Sequence, residues 1–176
     1  MENIYVFTDF ETTGLDPERY DVPIEIGMIF TDSNYNIIDV YKSVIDSLPE
    51  HKEHWDEYEI AAFKVHNIPV SYIKNEGAQP ARVVNDILKI LSKREARYII
   101  VSDNAVFEYG FMKKLFYMAR KDEFPFYHIA FDLNILMNIT DIQKRKLKHR
   151  AFEDVCIVYK TAIRCLEKLG FKKWDI

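Results

Sequence analysis

No stretch of this chain approaches the ~18 consecutive apolar residues that a membrane-spanning helix needs. A strand-like segment begins almost at the first residue, so no secretory signal is visible. Cysteine is scarce, with only Cys156 and Cys165 present. They lie nine apart in a segment of helical pattern, and at ~100° per residue they fall on opposite faces. They are not expected to bond to each other, and they suit a reducing, cytoplasmic setting. An excess of positive charge is also lacking. Lys and Arg total 24 against 28 Asp and Glu, for a formal net charge of −4. That argues against a protein that coats nucleic acid by bulk electrostatics. It is compatible with carboxylates clustered around bound cations, which reverse the local field. His51, His54 and His66 show no spacing, with cysteine or with one another, that suggests zinc. There are no repeats, no low-complexity tract and no obvious linker.

What is present describes an ordinary globular protein, 48% hydrophobic and 30% charged. At 176 residues it is expected to be one domain, 1–176, long enough to bury a real core. Residues 3–9, 24–31 and 36–46 read as strands, and Asp32-Ser33-Asn34-Tyr35 reads as the turn of a hairpin. The segment 56–66 reads as a helix with Ala61, Ala62 and Val65 on one side, interrupted by Pro69. Val83, Val84, Ile87, Leu88 and Leu91 form a helical stripe over 80–93. A short buried strand at 98–101 and a helix at 105–120 follow. A last strand at 127–131, a helix at 132–139 and a helix at 151–169 complete the chain, with Gly170 as its stop. The expected fold is α/β: a mixed five-stranded sheet, its first three strands an antiparallel meander, flanked by helices.

The most informative stretch is Asp9-Phe10-Glu11-Thr12-Thr13-Gly14-Leu15, which follows the apolar run Ile4-Tyr5-Val6-Phe7. Carboxylates two apart on a strand point to the same side of the pleat. Like charges on one face repel, so a cation is needed to make the placement favourable. Gly14 allows a sharp turn and a close approach of backbone to a ligand. These residues read as half of a divalent-metal site awaiting a phosphate. Asp103-Asn104-Ala105-Val106-Phe107-Glu108 follows the fourth strand, and His149-Arg150-Ala151-Phe152-Glu153-Asp154 opens the last helix. Taken singly, both are ordinary. Phe107 and Phe111 have the spacing of helix packing, and Glu108 alone would be an exposed helix charge.

In this order, the three segments resemble the DEDDh 3′→5′ exonuclease family, the DnaQ-like, proofreading type with the RNase H-like fold. Ile24-Glu25-Ile26-Gly27, Val65-His66-Asn67-Ile68 and Lys148-His149-Arg150-Ala151-Phe152-Glu153-Asp154 resemble further family segments. The resemblance implies hydrolysis of phosphodiester bonds in single-stranded nucleic acid to nucleoside 5′-monophosphates. Asp9, Glu11, Glu108 and Asp154 would hold two divalent cations, Mg²⁺ or Mn²⁺, with Asp9 bridging them. His149 would be the general base. Leu15 would wedge against the terminal base, and the backbone near Thr12, Thr13 and Gly14 would meet the 3′ hydroxyl. Asn104 and Phe107 would also touch substrate; Phe107 either stacks on a base or packs the site.

Two positions depart from the family pattern. Its second-motif aspartate is Glu108 here, and the histidine that often opens that motif is Asp103. A longer arm either ligates directly or shifts a cation and favours Mn²⁺. A module of the same fold that binds without turnover, and an oligoribonuclease-like enzyme, are the alternatives. The basic run 144–150 is either a solvated loop or a phosphate contact. Lys113, Lys114, Arg120 and Lys121 read as a solvated helix face, and Asp132 as a helix N-cap. DNA is favoured over RNA as substrate. A proofreading role would require a polymerase or replication partner. The chain stops soon after the last helix, which favours a stand-alone or surface-docked enzyme.

Overall fold

The computed structural model describes residues 1–48, 55–143 and 146–171, with the backbone alone over 55–60. His51, His54, Lys144 and Arg145 lie outside the described residues. Three strands open the chain, β1 (Glu2–Thr12), β2 (Pro23–Thr31) and β3 (Ile37–Val44). Helices α1 (Trp55–His66), α2 (Val70–Glu76) and α3 (Pro80–Leu91) follow, then β4 (Ala96–Ser102) and α4 (Ala105–Met118). The chain ends with β5 (Phe131–Asp132), α5 (Leu133–Thr140) and α6 (Ala151–Lys168). The sheet order is β3-β2-β1-β4-β5. The first three strands pair antiparallel, and β4 joins β1, and β5 joins β4, in parallel. This is the expected mixed five-stranded sheet, flanked by helices.

The alternation along β1 decides what packs where. Ile4, Val6 and Phe10 point to a core shared with Val83, Val84 and Ile87 of α3 and Phe111, Met112 and Leu115 of α4. Phe7 points the other way, to Val155, Val158 and Ala162 of α6 and Leu133 of α5. Pro80 opens α3, where its missing N–H is no loss. Gly170, at φ 82°, follows the end of α6 as the expected stop.

Three of the differences from the expected elements bear on the architecture. Pro69 does not merely interrupt a helix but serves as the N-cap of a further one, α2, which buries only Ile73. The last strand is two residues long instead of five. Phe126 bridges to Tyr98 and Phe131 to Val101. Five residue steps on one side thus face three on the other, so the chain between must leave the ladder. Finally, β1 runs on to Thr12, with a register shift between Glu11 and Thr12, so Glu11 stays within the sheet opposite Glu25.

Gly27 fixes the seat of α6. A Cβ there would lie 2.5 Å from the Ala151 carbonyl oxygen and 2.6 Å from Phe152 Cα. The start of α6 therefore rests directly on the β2 backbone. Gly27→Ala is expected to cost roughly 1–3 kcal/mol through overpacking and to weaken cation binding by displacing the first turn of α6. A denaturant melt and a cation titration would check both.

Candidate active site

The cleft is built where one end of β1 meets the starts of two helices. Asp9 pairs with Gly27 and Glu11 with Glu25, so these four positions share the face on which α6 sits. Asp154 comes from the first turn of α6, and Glu108 from the first turn of α4. Asp9, Glu11, Glu108 and Asp154 are all buried. With His149 they line one cavity of about 970 Å³. Single ligand atoms of Glu11, His149 and Asp154 lie within 4.8 Å of one another.

These residues fit a hard divalent cation. One buried carboxylate oxygen of Glu108, Oε2, has no hydrogen-bond partner among the described residues. Burial pushes the Glu11 carboxyl up to about 8, with Asp154 and then Glu25 adding to it and Arg150 opposing. Burial, and next the charge of Asp9, also holds Glu108 well above the usual carboxylate range, against the Phe10 N–H. Buried acids that repel one another, with an oxygen left unpaired, supply the donors such an ion takes. The extra methylene of Glu108 does not carry it out of the cluster: its electrostatic neighbours are Asp9 and Glu11.

Asp154 also builds the loop before it. Its two oxygens accept the Lys148 and His149 N–H groups, each at 2.7 Å. His149 has φ 58°, left-handed backbone that costs a non-glycine residue roughly 1–2 kcal/mol. The two bonds hold that conformation and set His149 half-buried at the cleft.

Glu25 provides a second brace. It accepts two bonds from Arg150 Nε at 3.1 and 3.2 Å, one from Arg150 Nη2 at 2.7 Å and one from the Ala151 N–H at 2.9 Å. Arg150 is thereby tied to the scaffold, and Lys148 Nζ pairs with Glu153 at 2.8 Å. Within the basic run these two charges are taken up internally, and Lys146 is exposed.

The loop after β1 is held by its own side chains. Thr12 Oγ1 donates to the Gly14 carbonyl at 2.6 Å. Thr13 Oγ1 donates to Asp21 at 3.3 Å and accepts the Val22 N–H at 3.0 Å, and the Thr13 N–H donates to the Val22 carbonyl. Asp21 packs against Gly14, its carboxyl lying 2.4 Å from where a Cβ would stand. Leu15, at 83% exposed, projects from this loop. Thr12, Thr13, Gly14, Leu15, Asn104 and Phe107 all line the cleft. Phe107 packs on Phe111 with ring centroids 4.7 Å apart. Asp103 is buried, with its carboxylate 3.3 Å from Ser102 Oγ and its carbonyl accepting from the Asn134 side chain. Asp132 is the expected N-cap, accepting the Asn134 N–H at 2.8 Å.

Two contributors to the cleft were not assigned to it from the sequence. Ala61, Ala62 and Val65 do share a side of α1, and that side lines the cleft instead of the core. His66 lines it too, buried, with Nδ1 accepting the Ile68 N–H at 2.9 Å. The proton of the neutral ring is then on Nε2. Burial lowers its pKa, and Glu25 acts in the opposite sense. The only sequence signal was its place in Val65-His66-Asn67-Ile68. Asn67, at φ 55°, stands there in left-handed backbone, which asparagine tolerates.

A family model described as exonuclease, RNase_T, matches residues 6–162. Among solved structures, the nuclease domain of 3′hExo, a DEDDh family member bound to rAMP, is similar with a TM-score of 0.71. The two are 14% identical, over 97% of this chain and 95% of that one. E. coli exonuclease I in complex with a dT13 oligonucleotide gives 0.70 at 17% identity, over 96% of this chain and 42% of that one. This chain thus spans less than half the length of exonuclease I. A 3′-exonuclease described in 3′-end specific recognition of a histone mRNA stem-loop gives 0.67 at 14% identity, over 97% and 65%. No curated protein matches. At such identities the structural likeness speaks for the fold, whereas the family model runs from the middle of β1 well into α6 and takes in every acid of the cleft. On that span the chain belongs to the RNase_T exonuclease family.

Proposed function

We propose that this protein is a cation-dependent exonuclease that removes nucleoside 5′-monophosphates from the 3′ end of single-stranded nucleic acid, with DNA favoured over RNA. The observation that carries this is the convergence of Glu11, His149 and Asp154 within 4.8 Å, beside Asp9 and Glu108 in the same cleft. Asp9, Glu11, Glu108 and Asp154 would hold two ions, Mg²⁺ or Mn²⁺. When bound, such a pair stabilises the attacking and leaving oxygens of an in-line displacement.

The chain's own residues do the remaining work. His149 takes the proton of the attacking water. Asp154 holds the His149 backbone in place, and Glu25 holds Arg150 and the start of α6. Leu15 and Phe107 flank the terminal base, and the loop at Thr12–Gly14 meets the 3′ hydroxyl. In a proofreading role the strand end would come from a polymerase partner.

A 5′-labelled single strand incubated with Mg²⁺ or Mn²⁺ tests this. The expected result is a ladder shortening one nucleotide at a time from the 3′ end, abolished by EDTA, and faster for DNA than for matched RNA. Binding without shortening in both ions would mean a non-catalytic module, and faster RNA cleavage would reverse the preference. Glu108→Asp is expected to keep or raise activity, because it restores the family side chain at the same helix position. Complete loss there would mean that the cluster is built around the longer arm.

A further inference from the structure

A second groove, of about 1030 Å³, adjoins the catalytic cleft. Leu15, Asn104 and Phe107 line both, so the two spaces are continuous. One wall is a single stripe of α4. Val106, Gly110, Lys113 and Tyr117 recur at helical spacing and span ~16 Å at 1.5 Å per residue. The other wall is the loop after Leu15. It can lie against the stripe because Gly110 has no side chain; a Cβ there would come 2.9 Å from Pro17 Cγ.

Two properties of the groove point to the same ligand. Val106 and Tyr117 are 85% and 78% exposed, placing an apolar and an aromatic surface in water beside equally exposed Leu15. Among the described residues, neither Lys113 nor Lys114 pairs with a carboxylate. The Lys114 ammonium donates to the Arg19 carbonyl at 2.9 Å, and that of Lys113 lies 5.0 Å from the Tyr109 ring centroid. Asp16 and Glu18 stand on the opposite wall, where Arg19 pairs with Asp16 at 3.3 Å. Two neighbouring lysines beside an exposed ring, with half-buried Phe107 at the cleft end, supply the chemistry that holds single strands, through phosphate contacts and base stacking.

We infer that this groove binds the nucleotides on the 5′ side of the one being removed, with Tyr117 stacking a base and Lys113 and Lys114 facing phosphates. The inference rests on the exonuclease reading, since the strand must run out of the cleft past Leu15 and Phe107. The lysines read from sequence as a solvated face thus become part of the substrate track.

The test compares kcat/KM for three substrates: the p-nitrophenyl ester of thymidine 5′-monophosphate, a dinucleotide and a longer single strand. In the wild type, kcat/KM should rise with length. Tyr117→Ala, and Lys113→Ala with Lys114→Ala, should each lower it about tenfold for the long strand. The ester, which fills only the catalytic cleft, should be unaffected. The lysine variant should also bind the strand with a shallower salt dependence. Equal loss on ester and strand, or no loss on the strand, overturns the groove while leaving the exonuclease reading intact. Anisotropy of a labelled strand in Ca²⁺ reads the groove independently of turnover: weaker binding by either variant supports it, and unchanged affinity overturns it.

Discussion

Replacing His149 by alanine should cut turnover by about 10²–10⁴-fold, the usual contribution of a positioned general base. Cation binding should survive. The four carboxylates proposed as ligands remain in the cleft, and the imidazole is the one member of the close group that is only half-buried. His149→Asn is the better-controlled variant, because asparagine tolerates the left-handed backbone at this position. Single-turnover rates would measure the loss, and a calorimetric cation titration would show whether the ligand set persists. Partial rescue by added imidazole would place the missing function at the ring. A near-normal rate would remove His149 from the mechanism, and collapse of cation affinity would make it a ligand instead of a base.

The second large effect is on stability. The Glu11 carboxyl has a pKa of about 8 in the fold against 4.5 for the free side chain. Between those values the folded protein holds a proton that the unfolded chain has lost. Stability of the cation-free protein therefore falls as pH rises through that window, and levels off above it. Glu108 is shifted in the same direction and adds to the slope. The loss between pH 5 and 8 should reach a few kcal/mol, on the order of 5–10 °C in Tm for a chain of this size. A divalent cation reverses the trend by displacing protons and pairing the freed carboxylates. Scanning calorimetry in EDTA and in Mg²⁺ at several pH values would measure this. A flat or rising Tm in EDTA would refute the protonated cluster. Calorimetry in buffers of different ionisation enthalpy should register proton release on cation binding.

The sequence was most legible where chemistry restricts the residue type. Asp9, Glu11, His149 and Asp154 stand in short ordered motifs, and all four line the cleft. The sheet was legible because alternation along β1 and the helical stripe of α3 each report a buried face. Short elements were not. Seven residues with one buried side chain give α2 no periodic pattern, and a two-residue β5 is defined by its partner strand alone. Helical spacing in α1 did group Ala61, Ala62 and Val65, but could not tell a face that meets the core from one that meets a cleft. The grip of Glu25 on Arg150 joins residues 125 apart, a separation at which no local pattern operates. His66 was missed for the same reason, since only the folded chain brings it beside Glu25, Arg150 and His149.

The twin hydrogen bonds from Lys148 and His149 to one carboxylate carry a warning for mutagenesis. Neutralising Asp154 deletes a negative charge and, in the same stroke, releases the peptide units that aim the imidazole. Inactivity of an Asp154→Ala protein would conflate a lost ligand with a wandering base. Glu11, which among the described residues braces no loop in this way, is the cleaner lever for isolating the ions' share of the rate.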